Sequence, residues 1–334
     1  MLPTYHTLGI WAAVLLIACR LIQGFALGGE WGGAVLMAVE HAHDHRKGFY
    51  GSWPQLGAPI GLVMGTLVFS IFSATMSDAQ FTAWGWRLPF LFSIILVIVG
   101  LWVRFTLAES PEFQKIKDTK QEVRMPIIDA IRMHPKNILL AMGARFAENG
   151  FFYIYATFVL AYATQALGMK KQDILNGVLI AAFIETFTIP AFGALSDRVG
   201  RRPVYIFGAI FSALMSFPLF MLLGTKTPQL AWIAIVLGLA VGHAAMYGPQ
   251  ASFFAELFGT KVRYSGVSLG YNLASIFAGA LSPIIATWLM TTYKPETWPI
   301  SVYMIILALI TLVSVYFALE TRQGAPGPSY KKVA

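Results

Sequence analysis

Charged side chains are scarce in this sequence: Asp, Glu, Lys and Arg together make up 12% of the 334 residues, against 57% hydrophobic. A soluble domain of this length needs roughly 25% charge to cover its surface. The deficit excludes a water-soluble globular protein and makes lipid the main solvent. Cysteine is nearly absent too, since Cys19 is the single one; it excludes an intramolecular disulfide framework and, inside an apolar run, reads as a small packing residue. Phosphate-binding loops, nucleophile elbows and nucleotide fingerprints are missing, which argues against an ATP-driven pump and against an enzyme. In EHAHDH, His41 and His45 stand at i and i+4, but no second ligand cluster accompanies them. No metal site and no cofactor are expected.

What the sequence does contain is a succession of apolar runs, at about 9–39, 48–74, 86–106, 137–163, 174–195, 204–223, 230–257, 265–291 and 299–319. Each is long enough to cross a ~30 Å hydrocarbon core as an α-helix, the element that satisfies its own backbone in lipid. An all-α membrane protein with nine transmembrane helices is predicted. A β-barrel would show alternating segments of about ten residues, and these runs are too long and too evenly apolar.

The net charge of +8 could suggest nucleic acid, but the basic residues are sorted by side. Beginning after the first run, alternate connections hold Arg46 and Lys47, a cluster from Arg104 to Lys136, then Arg198, Arg201 and Arg202, then Lys261 and Arg263, then Arg322, Lys331 and Lys332. The opposite connections hold only Arg87, Lys170, Lys171, Lys226 and Lys294. The positive-inside rule makes the first set and the C-terminus cytoplasmic, and accounts for the charge without a nucleic-acid partner. Met1 then falls outside, although the first residues lack the basic segment and cleavage pattern of a secretory signal.

The longest polar interruption divides three spans from six. It suggests a partial N-terminal bundle over 1–108, a cytoplasmic linker over 109–136, a six-helix bundle over 137–322 and a tail over 323–334. The two bundles show a weak internal repeat. GGEWGGAVLMAVE ends at Glu40, AAMYGPQASFFAE ends at Glu256, and a short basic loop follows each; likewise AESPEF after the third span echoes ALETRQG after the ninth, pairing Glu109 with Glu320. Parallel repeats of this kind are a transporter signature. The second unit has six helices and the first only three, so three helices are expected to be missing before Met1.

GALSDRVGRRP at 193–203 resembles the cytoplasmic loop signature of the major facilitator superfamily. RLIQGFALGGEWGGAVLMAVEHA, YGSWPQLGAPIG, WGWRLPFLFS, AESPEF and ELFGTKVRYSGVSLGYNLAS are similar to its metabolite:proton symporter family, which includes shikimate, dicarboxylate, citrate and osmolyte carriers. The resemblance covers nearly the whole chain. It implies a twelve-helix carrier that alternates access around a central site, of which this chain would hold helices 4 to 12. The family's acidic-aromatic motif on its first helix and its first GDRxGRR-type loop are absent here. The expected function is secondary active transport, as proton-coupled symport of a small organic acid or related metabolite across a bacterial inner membrane, by a monomer in the lipid bilayer. A uniporter or exporter, or an inactive truncated remnant, are the alternatives.

Ions inside spans point to the site, because a charge at the bilayer centre costs about 2.5–3.5 kcal/mol on insertion scales. Arg20, Gln23 and Glu30 fall on one helical stripe beside a Gly24, Gly28, Gly32 ridge, and are expected to face a cavity. Arg145, Glu148, Asn149, Phe152 and Tyr155 share a face of the fourth span. A guanidinium offers a planar fork to a carboxylate substrate, and a neighbouring carboxylate could compete for it. Arg20, Gln23, Arg145, Asn149, Tyr155, His243, Tyr271 and Asn272 are therefore the expected substrate contacts. Glu148, Glu185 and Glu30 are the expected proton carriers, Glu185 having no cation nearby in sequence. A static Arg145–Glu148 ion pair is the simpler reading of those two. The loop and its partners, Asp197, Arg198, Gly200, Arg201, Arg202, Glu256, Arg263, Glu109 and Glu320, are expected to form a cytoplasmic gate rather than a substrate site, with Gly200 allowing a tight turn and Asp197 meeting a helix N-terminus.

Overall fold

In the computed structural model, residues 5–106, 126–259 and 262–322 are described; Glu109, most of the expected linker and the tail lie outside them. Among the described residues, eight helices are long and apolar enough to cross a membrane: α1 (Ile10–Glu40), α2 (Lys47–Thr75), α3 (Gly85–Val103), α5 (Lys171–Val199), α6 (Arg201–Gly224), α7 (Pro228–Glu256), α8 (Arg263–Thr292) and α9 (Trp298–Phe317). The ninth expected span, α4, is continuous through Pro135–Tyr153, Ile154–Phe158 and Val159–Gln165. It matches the others in length and differs in carrying Arg145, Glu148 and Asn149 at its middle.

The spans are not uniform cylinders. α1 is interrupted at Gly28–Gly29, between Ile10–Leu27 and Glu30–Glu40. Three others each contain a π-helical stretch, at Ile154–Phe158 in α4, Leu237–His243 in α7 and Ser275–Ala280 in α8. Such turns carry extra residues in the coil and are frequent at functional sites.

Helices α4 to α9 form one bundle around a continuous core that includes Ile138, Phe151, Tyr155, Ile174, Tyr205, Leu219, Phe253 and Met304. Of the first three spans, α1 and α2 meet this bundle, mostly at one end but with α2 following α5 on into Gly57–Thr75, and α3 packs on α2. The Glu30–Glu40 segment packs on α7 and α8, and the first turns of α2 pack on α5 and α7. Residues Ile94 to Leu101 of α3 are exposed throughout, as an apolar face toward lipid.

Small residues make the contact at that end. A Cβ on Gly48 would fall on the carbonyl of Gly193, the Arg201 guanidinium and the Ser196 hydroxyl, and a Cβ on Gly193 would fall on the carbonyl of Gly48. Backbone meets backbone here, so a methyl has nowhere to go. Gly48→Ala should lower the thermal unfolding midpoint of the purified protein, by the equivalent of about 1–3 kcal/mol for overpacking; an unchanged midpoint would show that the crossing is looser than this. Further along the second span the glycines are loosely surrounded, and among the described residues a Cβ added at Gly57, Gly61 or Gly65 would meet nothing within 4 Å.

Candidate functional site

A chain of buried ionisable groups crosses the middle of the six-helix bundle. Arg145 and Glu148 lie one turn apart on α4, 4% and 2% exposed, with Nε of the arginine donating to Glu148 Oε2 at 3.2 Å. The other Glu148 oxygen lies 3.2 Å from Nε2 of His243 on α7, and His243 Nδ1 bonds Glu185 Oε1 on α5. Gln250, two turns beyond His243, donates Nε2 to Glu148 Oε2 and to the Tyr205 hydroxyl, both at 2.8 Å. Phe152 and Tyr247 flank the imidazole, with ring centroids 5.2 and 4.9 Å away.

Arg145 is held from a third side by α8. Its Nη1 donates to the Tyr271 carbonyl at 2.6 Å and to the Ser275 hydroxyl, while its guanidinium carbon lies 3.2 Å from the centroid of the Tyr271 ring. Two of the π-helical stretches border this point, since His243 ends one and Ser275 begins another.

The chemistry follows from the inventory. Arginine stays protonated, whereas the two carboxylates and the imidazole each exchange a proton. The cluster is balanced when His243 is an imidazolium and carries one excess negative charge when it is neutral. Burial makes either state sensitive to any charge added nearby, because low dielectric strengthens every such interaction.

A second charged cluster lies where the two parts of the chain meet. Arg201, 2% exposed at the start of α6, bonds Asp197 at 2.7 Å, Glu256 at 3.3 Å and the Ser196 hydroxyl at 2.8 Å. Asp197 also accepts from the backbone amides of Gly48 and Phe49 in the first turn of α2, at 2.7 and 2.9 Å. A carboxylate at a helix N-terminus satisfies orphan amides and meets the positive end of the dipole. Arg263 bonds Glu40 at 3.1 Å, again joining the end of α1 to α8. Glu40 and Glu256, each ending a span, both bond an arginine of the six-helix bundle.

The family model described as Major Facilitator Superfamily matches residues 6–271. The chain belongs to the Major Facilitator Superfamily. It is 38% identical over 327 residues to the shikimate transporter of Escherichia coli K12, covering 97% of this chain and 74% of that protein. It is 33% identical over 333 residues to the glycine betaine/proline/ectoine/pipecolic acid transporter OusA of Dickeya dadantii, covering 96% of this chain and 65% of that one. A structure of the proton:xylose symporter XylE bound to 6-bromo-6-deoxy-D-glucose superimposes with a TM-score of 0.65 at 17% identity, over 86% of this chain and 68% of that one, and shares its fold. This is a multi-pass transporter of the superfamily and not an enzyme.

Within this Major Facilitator Superfamily fold the expected residues are placed unequally. Arg145, Glu148, His243, Glu185 and Tyr271 come together. Glu185, with no cation near it in the sequence, has an ionisable partner in the fold, because His243 stands beside it from another span. His243 itself bridges two carboxylates, Glu148 and Glu185. Asn149 and Tyr155 are buried, Asn149 against Gly279 and Tyr155 against Gly238, and Asn149 Oδ1 and the Tyr155 hydroxyl each lack a hydrogen-bond partner among the described residues. Asn272 turns the other way, donating to the Gly28 carbonyl and joining α8 to the break in α1.

Arg20, Gln23 and Glu30 are exposed and do not join the buried chain. Arg20 Nη1 bonds Gln23 Oε1 at 2.8 Å. The inward stripe expected from the helical wheel is not formed, because α1 leans on the six-helix bundle only after the Gly28–Gly29 break. Gly24 accordingly packs on nothing, while Gly32 meets Ser268. In the gate set, Arg198 is exposed. Arg202 places its side chain on the carbonyls of Val315 and Tyr316, and the Arg201 and Arg202 amides donate to Glu320 at 2.9 Å. Gly200 adopts φ 113°, where a Cβ would strike the Glu320 carboxylate. Tyr247, Gln250 and Ser275 stand on polar stripes legible in the sequence, His243, Tyr247 and Gln250 at i, i+4 and i+7 on α7 and Ser268, Tyr271, Asn272 and Ser275 on one face of α8, whereas Tyr205, Trp31 and Gln55 were not among the expected site residues.

Proposed function

We propose that this chain is a proton-coupled symporter of a small organic acid or related metabolite, working by alternating access across a bacterial inner membrane, with its basic end and C-terminus in the cytoplasm. The observation that carries the reading is the buried Arg145–Glu148–His243–Glu185 chain in the middle of the bundle. A substrate carboxylate takes the Arg145 fork that Glu148 now holds, and the displaced Glu148 keeps its place in a low-dielectric site only by accepting a proton. His243 and Glu185 pass or store that proton. Asn149 and Tyr155, with polar atoms unpartnered, meet the substrate's polar groups.

The contacts of Asp197 with the Gly48 and Phe49 amides and of Glu40 with Arg263 close the cytoplasmic end in this arrangement. The bundles over 1–108 and 137–322 rock about the site and break those contacts when the end opens. Shikimate, named for a relative, is a first probe. Radiolabelled shikimate and a panel of other small acids should accumulate in proteoliposomes only when a pH gradient, acid outside, is imposed. Uptake that ignores the gradient and stops at equal concentrations on the two sides would overturn symport in favour of a uniporter; loss of preloaded acid driven by the gradient would make the protein an exporter.

A further inference from the structure

A tryptophan from the first part of the chain reaches the Arg145 site. Trp31 stands in the first turn after the Gly28–Gly29 break. Its ring lies on that of Tyr271, with centroids 3.6 Å apart and planes 17° from parallel. The Arg145 guanidinium carbon is 3.2 Å from the same centroid. Two groups this close cannot share one face of a phenol ring, so Tyr271 is sandwiched between indole and guanidinium.

A second arm starts from the same indole. Trp31 Nε1 donates to Gln55 Oε1 at 2.7 Å, and Gln55, fully buried near the start of α2, donates Nε2 to the Tyr247 carbonyl at 3.2 Å. Tyr247 is the residue that flanks His243. The Trp31–Gln55 pair therefore supports both parts of the charged chain, through Tyr271 at Arg145 and through Tyr247 at His243. Both residues belong to the segments that make the basic-end closure, the part of α1 that ends at Glu40 and the part of α2 that begins at Gly48.

We propose that Trp31 and Gln55 form a partition sealing the charged site from the basic end of the protein, seated only while Arg145 lies on Tyr271. An occupant that draws Arg145 off the ring removes the cation–π contact and the bond to the Tyr271 carbonyl together. Tyr271 is then held from one face only, the Trp31 stack loosens, and occupancy and opening toward the basic end become one equilibrium, since a ligand shifts two states only by its differential contacts with them. That last step rests on the substrate-site reading above; the sealing role does not.

The test uses a charged, membrane-impermeant methanethiosulfonate on vesicles of the two orientations. Cys19→Ser removes the native thiol and Phe152→Cys places a reporter beside His243. Trp31→Ala should raise the labelling rate from the basic end roughly ten-fold, the size set by a lost aromatic stack plus a lost hydrogen bond, and leave labelling from the other end unchanged. Gln55→Leu should raise it several-fold, and Trp31→Phe, which keeps a stack, should stay closer to the parent. An unchanged basic-end rate in Trp31→Ala and Gln55→Leu overturns the proposal, as does an equal rise from both ends, which is not directional. The reagent needs neither substrate nor pH gradient, so this result and the uptake result fail independently.

Discussion

Glu148→Gln is expected to abolish uphill accumulation while leaving exchange of substrate across the membrane intact. The amide keeps the volume of the side chain and can still accept from Gln250 and Arg145, but it cannot take up a proton when a substrate carboxylate displaces it. Each coupled proton turns a pH gradient of about one unit into about tenfold accumulation. The accumulation ratio of the variant should therefore fall to about one, while counterflow between preloaded and external substrate persists. Glu185→Gln is the informative partner. It keeps the Arg145–Glu148 pair and alters only the far side of His243, so it should slow accumulation without removing it. Undiminished uphill uptake by Glu148→Gln would move the proton elsewhere.

Arg201→Ala should produce the largest loss of stability among single changes at the basic end. The guanidinium is 2% exposed and satisfies Asp197, Glu256 and Ser196 at once. Removing it leaves two carboxylates facing each other, and breaking a buried ion pair from one side costs about 3–5 kcal/mol. The thermal unfolding midpoint in detergent should fall clearly, and transport with it. Arg201→Lys should recover only part of both, because an ammonium cannot bridge two carboxylates with a planar fork. Asp197 would still cap α2 in either variant, so the two halves should not separate altogether. An unchanged midpoint in Arg201→Ala would show that the cluster is a solvated surface network.

Much of the architecture is readable from the chain because lipid leaves few choices. An apolar run of sufficient length has to be a helix, and a basic loop has to stay on one side. The identity of Arg145 and Glu148 as a pair is readable as well, since three residues along a helix fix their separation. The partner of Glu185 is not. His243 lies 58 residues away on another helix, and nothing in either local pattern says that these two spans meet at that height. Arg20 shows the opposite failure. The helical wheel puts Arg20, Gln23 and Glu30 on one face, but a wheel does not say which neighbour that face meets, and the Gly28–Gly29 interruption, falling between Gln23 and Glu30, decides that α1 touches the bundle only after most of the stripe has passed. Trp31 was hidden for the same reason, being read as part of a glycine-rich packing run when its neighbours are supplied by α2 and α8.

The π-helical stretches let a span absorb a change in residue count that regular coil cannot. An α-helix turns about 100° per residue, and a π turn exists because one more residue is wound into the coil than an α turn would hold. Deleting a single residue inside Leu237–His243 would let α7 relax to regular winding over the same arc, so Tyr247 and Gln250 would keep the face that meets Glu148 and Gln55. The same deletion in the regular coil between Ala244 and Tyr247 would turn everything after it by about 100°, and Tyr247 and Gln250 would leave that face although neither had been altered. The winding of α7 beyond His243 is therefore as much a part of the site as the residues that line it.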